Sequence, residues 1–141
     1  FEDMINESSR ILREEELRGN KLDFKYIIVD EYQDISRQRY NLTKELSKLC
    51  DAKIIAVGDD WQSIYAYAGS DITLFTHFTE TFGYGLQLNI TKTYRNAQEV
   101  IDIAGGFIQK NNEQLKKALI SPKHITDPII IETYTEDLDK N

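Results

Sequence analysis

Apolar positions along the chain follow two spacings in turn. Over residues 1–19 they fall at Met4, Ile5, Ile11, Leu12 and Leu17, roughly one face of a helix that Gly19 would end. The pattern then closes into a continuous run. The stretch "YIIVDEYQD" (26–34) opens with four apolar residues, which predicts a strand over 25–30 buried on both faces. Ser36 is placed to cap a helix running to about Leu49, with Tyr40, Leu42, Leu46 and Leu49 as its apolar anchors. "AKIIAVGDD" (52–60) is a second apolar strand, and like the first it ends in acids. Two short apolar strands separated by a helical stretch predict an α/β fold with a parallel sheet.

Beyond residue 60 the pattern is less regular. An aromatic-rich stretch, "WQSIYAYAGSD" (61–71), precedes a helical segment, "ITLFTHFTETF" (72–82). The glycines of "GYG" (83–85) mark a candidate boundary, because they punctuate the chain where a helix has just ended. "LQLNITKTY" (86–94) reads as a strand and 97–111 as a helix, with Gly105 and Gly106 weakening its middle. A polar segment containing Pro122 and Pro128 leads to a predicted last strand, "IIIETY" (129–134), and "TEDLDKN" (135–141) has the composition of a helix start. No internal repeat is present.

Composition narrows the class. The 141 residues suffice for one ordinary domain or pieces of two. A hydrophobic content of 40% with 29% charged residues fits neither a membrane protein nor a disordered tail. No apolar run approaches the roughly 18 residues a bilayer span needs, so no membrane partner is expected. The sequence starts at Phe1 rather than Met, the pattern of a trimmed or internal piece. Cys50 is alone, which excludes a disulfide framework and makes a reducing cytoplasm the expected setting. A net charge of −7 argues against binding nucleic acid by bulk attraction, and leaves a local DNA contact open.

Asp30 and Glu31 stand side by side at the exit of an apolar strand. Adjacent like charges repel, and are best tolerated where a cation or a reacting water uses them. A plain polar strand end is the alternative. In parallel sheets ligands gather at the carboxyl ends of the strands, where Gly58, Asp59, Asp60 and Gln62 also fall. An Asp that reaches magnesium beside a Glu that deprotonates water is an arrangement used by nucleotide hydrolases. A neutral Gln nearby suits contact with a terminal phosphate.

"VDEYQD", "VGDDWQSIYAYAGSD" and "TYRN" (93–96) resemble motifs II, III and IV of the UvrD/Rep-type superfamily I DNA helicases, in order and at family-like spacing. The Trp after "GDD" and "FIQKNNEQLKK" (107–117) look most like the helicase IV branch. The resemblance covers about residues 1–120. It implies a RecA-like P-loop NTPase sheet flanked by helices, incomplete here: 1–82 as the C-terminal half of a first motor domain and 83–141 as the beginning of a second. It further implies ATP and Mg2+ as cofactors, single-stranded DNA and duplex junctions as partners, and 3′-to-5′ movement. Asp30 would be the magnesium carboxylate and Glu31 the catalytic base. Gln62 would couple the γ-phosphate to DNA, Tyr94 would stack on adenine, and Arg95 would reach the γ-phosphate. Tyr65 and Tyr67 would sit under bases. Many relatives have Arg immediately before the motif III Gly, where this chain has Ala68, as the helicase IV branch does; this shifts charge compensation toward Arg95.

Each residue also has a plainer reading. Aromatics at spacing two, such as Tyr65 and Tyr67, are often core residues. A lone Arg is most often a surface cation. His77 and His124 lack companions at zinc-ligand spacing, Cys50 is expected to be a small buried hydrophobe, and "EEE" (14–16) a solvated helix face. The phosphate-cradling G-x-x-x-x-G-K-[ST] does not occur in the sequence. The expectation is therefore an internal piece of an ATP-dependent DNA helicase, inactive on its own. The alternative is a catalytically silent helicase-like module serving interaction or regulation.

Overall fold

The computed structural model describes residues 1–83, 85–112 and 114–133, and they divide into two compact units. The first comprises Phe1–Gln87 with Asn112–Leu115, the second Leu88–Asn111 with the chain from Lys116 onward.

In the first unit, α1 (Glu2–Leu17) ends as its sequence predicts. Gly19 takes a left-handed φ of 77°. The amides of Gly19 and Asn20 donate back to Glu16 O and Glu15 O, the paired hydrogen bonds of a glycine-terminated helix. β1 (Tyr26–Val29) is followed by a single 3₁₀ turn at Tyr32–Asp34, and then by α2 (Arg37–Cys50). Ser36 caps α2 by accepting from Arg39 N–H. At its other end Asp51 adopts φ 52°, a left-handed geometry that Asp tolerates better than most side chains. Glu45 of α2 is buried and pairs with Arg13 of α1 at 3.2 Å, tying the two helices together. β2 (Lys53–Ala56) lies parallel to β1 in the register Tyr26↔Lys53 through Val29↔Ala56.

The sheet differs from the expectation of strands buried on both faces. Ile27, Val29, Ile54 and Ala56 are half-buried, whereas Tyr26, Ile28 and Ile55 are exposed. Among the described residues only two strands pair, and of their side chains Val29 and Ala56 pack against the buried cluster. The core sits at the carboxyl end of the sheet, where Tyr32, Ile35, Tyr40 and Leu74 pack with Val29, Ala56, Phe75, Phe78 and Phe82. Tyr32 meets Phe78 edge-on, centroids 5.6 Å apart. Burial pushes the Tyr32 hydroxyl up to about 12.

The single helix expected over 72–82 is two short ones, α3 (Thr73–Thr76) and α4 (Phe78–Phe82), broken at His77 with φ −108°. Thr76 and Thr81 hydroxyls turn back onto Ile72 O and His77 O, the competition that makes β-branched hydroxyl residues poor helix interiors. Cys50 is half-buried rather than fully enclosed. The acids of 14–16 are drawn into surface pairs: Glu14 with Arg10, and Glu15 with Arg18.

In the second unit, α5 (Gln98–Ile108) runs through Gly105, which is buried, and Gly106. Gln98 organises this unit: its amide accepts from Ser121 N–H at 2.7 Å and donates to Leu119 O at 3.1 Å. The strand expected over 86–94 is absent. Only an isolated parallel bridge, Lys92↔Ile120, forms there, because among the described residues no neighbouring strand supplies a ladder. Residues 129–133 are likewise not a strand; residue 134 and the helix start expected over 135–141 lie outside the described residues. Among the described residues no helix is long and apolar enough to cross a membrane.

Asp71 joins the chain beyond the aromatic loop to the start of α2. It accepts from Thr73 and pairs with Arg37, while its own N–H donates to Ile35 O at 2.9 Å. The Thr73 hydroxyl and then the Arg37 charge hold the Asp71 carboxyl below its ordinary value. A depressed folded-state pKa gives stability that is present above the unfolded value, near 3.9, and lost as pH falls through the folded one. Asp71→Asn is therefore expected to lower the urea midpoint at about pH 7 and to differ less from wild type at about pH 3. An equal gap at both pH values contradicts this role for the carboxylate.

Candidate active site

The ladder between the strands continues past their ends. Val57 N–H donates to Val29 O, and Tyr32 N–H donates to Val57 O, both at 2.9 Å. This forces the chain after β1 to turn sharply, and Glu31 makes the turn with φ 49° and ψ 44°. A non-glycine residue in that region costs on the order of 1–3 kcal/mol unless its surroundings hold it there. Here Asp30 Oδ1 accepts from Glu31 N–H at 2.9 Å, and Gln33 Nε2 donates to Glu31 Oε2 at 2.8 Å.

Asp30 and Glu31 are both exposed at the strand exit. They line a shallow hollow of about 180 Å³ with Val29, Asp34, Ile35, Arg39 and Thr43. Asp34 Oδ1 is buried there without a hydrogen-bond partner among the described residues. No local pattern singles out Asp34 or Arg39, since a helix and a turn have to fold to bring them beside Asp30.

The second strand end arrives alongside. Gly58 has no side chain at the point of closest approach, where a Cβ would lie 2.6 Å from Gln33 Oε1 and 3.1 Å from Tyr32 N. Gln33 Oε1 accepts from Asp59 N–H at 3.1 Å. Asp59 caps the following turn, Asp60–Gln62, by accepting from Trp61 N–H, and its other oxygen accepts from Gln62 Nε2 at 2.8 Å. Asp30, Glu31 and Gln62 are thus brought into one hydrogen-bonded group, with Gln33 and Asp59 as its inner members. Asp60 does not join it. It is 1% exposed, turned inward, and accepts from Leu115 N–H at 2.7 Å. The expectation that both acids of "GDD" open onto one crevice is corrected: buried carboxylates require donors, and Leu115 supplies one. Trp61 Nε1 donates to Leu115 O at 3.3 Å, so both residues hold the same backbone segment.

Tyr65 and Tyr67 follow on the same loop, with ring centroids 5.9 Å apart. The loop closes on Gly69 at φ 86°. Tyr67 is 84% exposed and Tyr65 44%, so the core reading of this pair is corrected. Ala68, beside them, is exposed as well. In the second unit Tyr94 is exposed, with Lys92 Nζ 5.2 Å from its ring centroid. Arg95 is exposed, its N–H donating to Thr93 Oγ1. His124 contacts Glu99 at 2.7 Å, and that hydrogen bond holds the Glu99 carboxyl below its usual value.

Among the described residues no group of three His, Cys, Asp or Glu side chains forms a metal cage. Magnesium needs no such cage, since it is commonly held by one or two carboxylates together with water and phosphate. Asp30 and Glu31, exposed and adjacent, are the side chains suited to it.

Residues 1–83 match the model of the UvrD/REP helicase N-terminal domain. DNA helicase IV of Escherichia coli (strain K12) is 46% identical over 99 residues, which cover 70% of this chain and 14% of that protein. ATP-dependent DNA helicase PcrA of Staphylococcus epidermidis is 33% identical over 123 residues, 84% of this chain and 16% of that protein. ATP-dependent DNA helicase srs2 of Schizosaccharomyces pombe is 34% identical over 104 residues, 74% of this chain and 12% of that protein. The chain therefore spans a small part of each relative's length. With more than half of its residues matched by one family model, it belongs to the UvrD/REP helicase family.

Proposed function

We propose that the chain is part of an ATP-dependent DNA helicase, contributing the water-activating half of its nucleotide site and part of its single-strand track. What carries the reading is the hydrogen-bonded group at the ends of the two parallel strands, where Glu31 connects through Gln33 and Asp59 to Gln62. The names of the relatives, ATP-dependent DNA helicases among them, support it.

In this reading "VDEYQD", "VGDDWQSIYAYAGSD" and "TYRN" are motifs II, III and IV. Residues 1–82 complete a first RecA-like motor domain, and 83–141 begin a second. The phosphate-binding loop comes from sequence outside these 141 residues, which leaves the chain inactive alone. Asp30 would hold Mg2+, and Glu31 accepts the proton of the attacking water. Bound there, magnesium would supply positive charge that offsets the charge of the phosphates. Gln62 contacts the terminal phosphate as a neutral donor. Tyr94 stacks on the adenine, and Arg95 meets the γ-phosphate as the charge that Ala68 does not provide. Tyr65 and Tyr67 stack on bases of single-stranded DNA, a contact every base can make, so that movement (3′ to 5′) needs no sequence reading. Duplex junctions are the substrate for unwinding, and the cytoplasm, consistent with the lone Cys50, is the setting.

Two measurements on the full-length protein test these roles. Glu31→Gln keeps the size of the side chain and removes the base. ATP turnover should fall by about 10²–10⁴-fold while the affinity for ATP stays within a few-fold. Wild-type turnover in this variant contradicts the assignment. Tyr67→Ala should weaken binding to single-stranded DNA by about 1–3 kcal/mol, with little change in thermal stability or DNA-independent turnover. Unchanged DNA affinity alongside a lowered melting temperature would make Tyr67 a packing residue.

A further inference from the structure

Gln33 belongs to the hydrogen-bonded group above without a role of its own, yet it is 2% exposed, one of the most enclosed side chains in the first unit. An amide carries an acceptor oxygen and a donor nitrogen, so a buried Gln can join two neighbours of opposite character. Gln33 does this. Its Nε2 donates to Glu31 Oε2 at 2.8 Å, and its Oε1 accepts from Asp59 N–H at 3.1 Å. The reverse amide orientation would set oxygen against carboxylate and N–H against N–H, so the network itself fixes the assignment. Ser63 Oγ also donates to Gln33 O at 3.3 Å, anchoring the main chain of the same residue. Asp59 Oδ2 then accepts from Gln62 Nε2 at 2.8 Å. Three consecutive hydrogen bonds run from Glu31 to Gln62, and Gly58 leaves the space in which the middle one forms.

We propose that Gln33 is a positioning residue that transmits the state of Gln62 to the carboxylate of Glu31. A carboxylate base works through one oxygen at a time. A donor on Oε2 fixes the carboxylate's rotation and leaves Oε1 to take the proton. Any shift of Gln62 toward a phosphate must strain or release its bond to Asp59. Asp59 N–H is held by Gln33, so the shift reaches the orientation of Glu31 through the amide. Turnover would then depend on Gln33 chiefly when DNA is bound and Gln62 is engaged. The inference rests on the roles of Glu31 and Gln62 proposed above and adds the link between them.

The test is a double-mutant cycle in the full-length protein, reading steady-state ATP turnover with and without saturating single-stranded DNA. Gln33→Met preserves volume and removes both polar atoms. It should lower DNA-stimulated kcat by about 10–100-fold, leaving KM for ATP within about threefold. Gln62→Ala should then cost less than about threefold further in the Gln33→Met background, although it costs much more in wild type, because members of one network are not additive. Equal factors for Gln62→Ala in both backgrounds overturn the proposal, as does a DNA-stimulated kcat near wild type in Gln33→Met. Should Gln33→Met fail to fold, Gln33→Glu keeps the acceptor for Asp59 N–H and removes the donor to Glu31. It should lose DNA stimulation, and wild-type stimulation in it overturns the proposal. Full turnover in Glu31→Gln would instead overturn the base assignment. Its loss there, with independent effects of Gln33 and Gln62, overturns the link alone.

Discussion

The hydrogen bond from Tyr32 N–H to Val57 O extends a parallel ladder one step beyond the last paired residues, Val29 and Ala56. Everything at the site depends on this step. It brings the exits of β1 and β2 to the same level, and it obliges Glu31 to take a left-handed turn directly after Asp30. It also buries Tyr32 under Phe75 and Phe78, so the residue that completes the ladder is the centre of the core. Fold stability and site geometry therefore share one residue, and a strained backbone at Glu31 persists because its neighbours on both sides are fixed.

Polar satisfaction explains why the acids at the two strand ends have different fates. Asp30 and Glu31 remain exposed, each with a local donor on one oxygen. Asp59 spends its carboxylate on capping Trp61 and on Gln62. Asp60 is enclosed, where a charge without donors would be costly, and Leu115 N–H meets it. Adjacent acids of similar sequence appearance thus divide into candidates for chemistry and a structural member, according to what their backbone turn places around them.

Much of this was legible in the sequence where the signal is local. Ser36 before α2, Gly19 after α1 and the paired apolar runs each have a short-range physical cause, and each lies where the pattern puts it. What was not legible depends on partners. "LQLNITKTY" has strand composition and, among the described residues, no neighbouring strand to pair with, so it forms one bridge at Lys92. Ile28 and Ile55 are apolar as a doubly covered sheet requires, and stand exposed because one face has no cover among the described residues. Gln33 was not legible, because an amide between Glu31 and Asp34 has the sequence signature of an exposed polar turn. The available signal was Gly58, a missing side chain one position before the acids, which permits a close approach by something buried. The family resemblance rested on the acids and aromatics of the loops.

The central claim is that the exits of β1 and β2 form the water-activating half of a nucleotide site. A crystal structure of the full-length protein with magnesium and a non-hydrolysable ATP analogue tests it most directly. The terminal phosphate should lie at the hollow beside Asp30. A carboxylate oxygen of Glu31 and the amide of Gln62 should each lie within about 3.2 Å of that phosphate or of the water behind it. A nucleotide bound with its terminal phosphate away from these residues, and with the bond between Gln33 and Glu31 undisturbed, would contradict it.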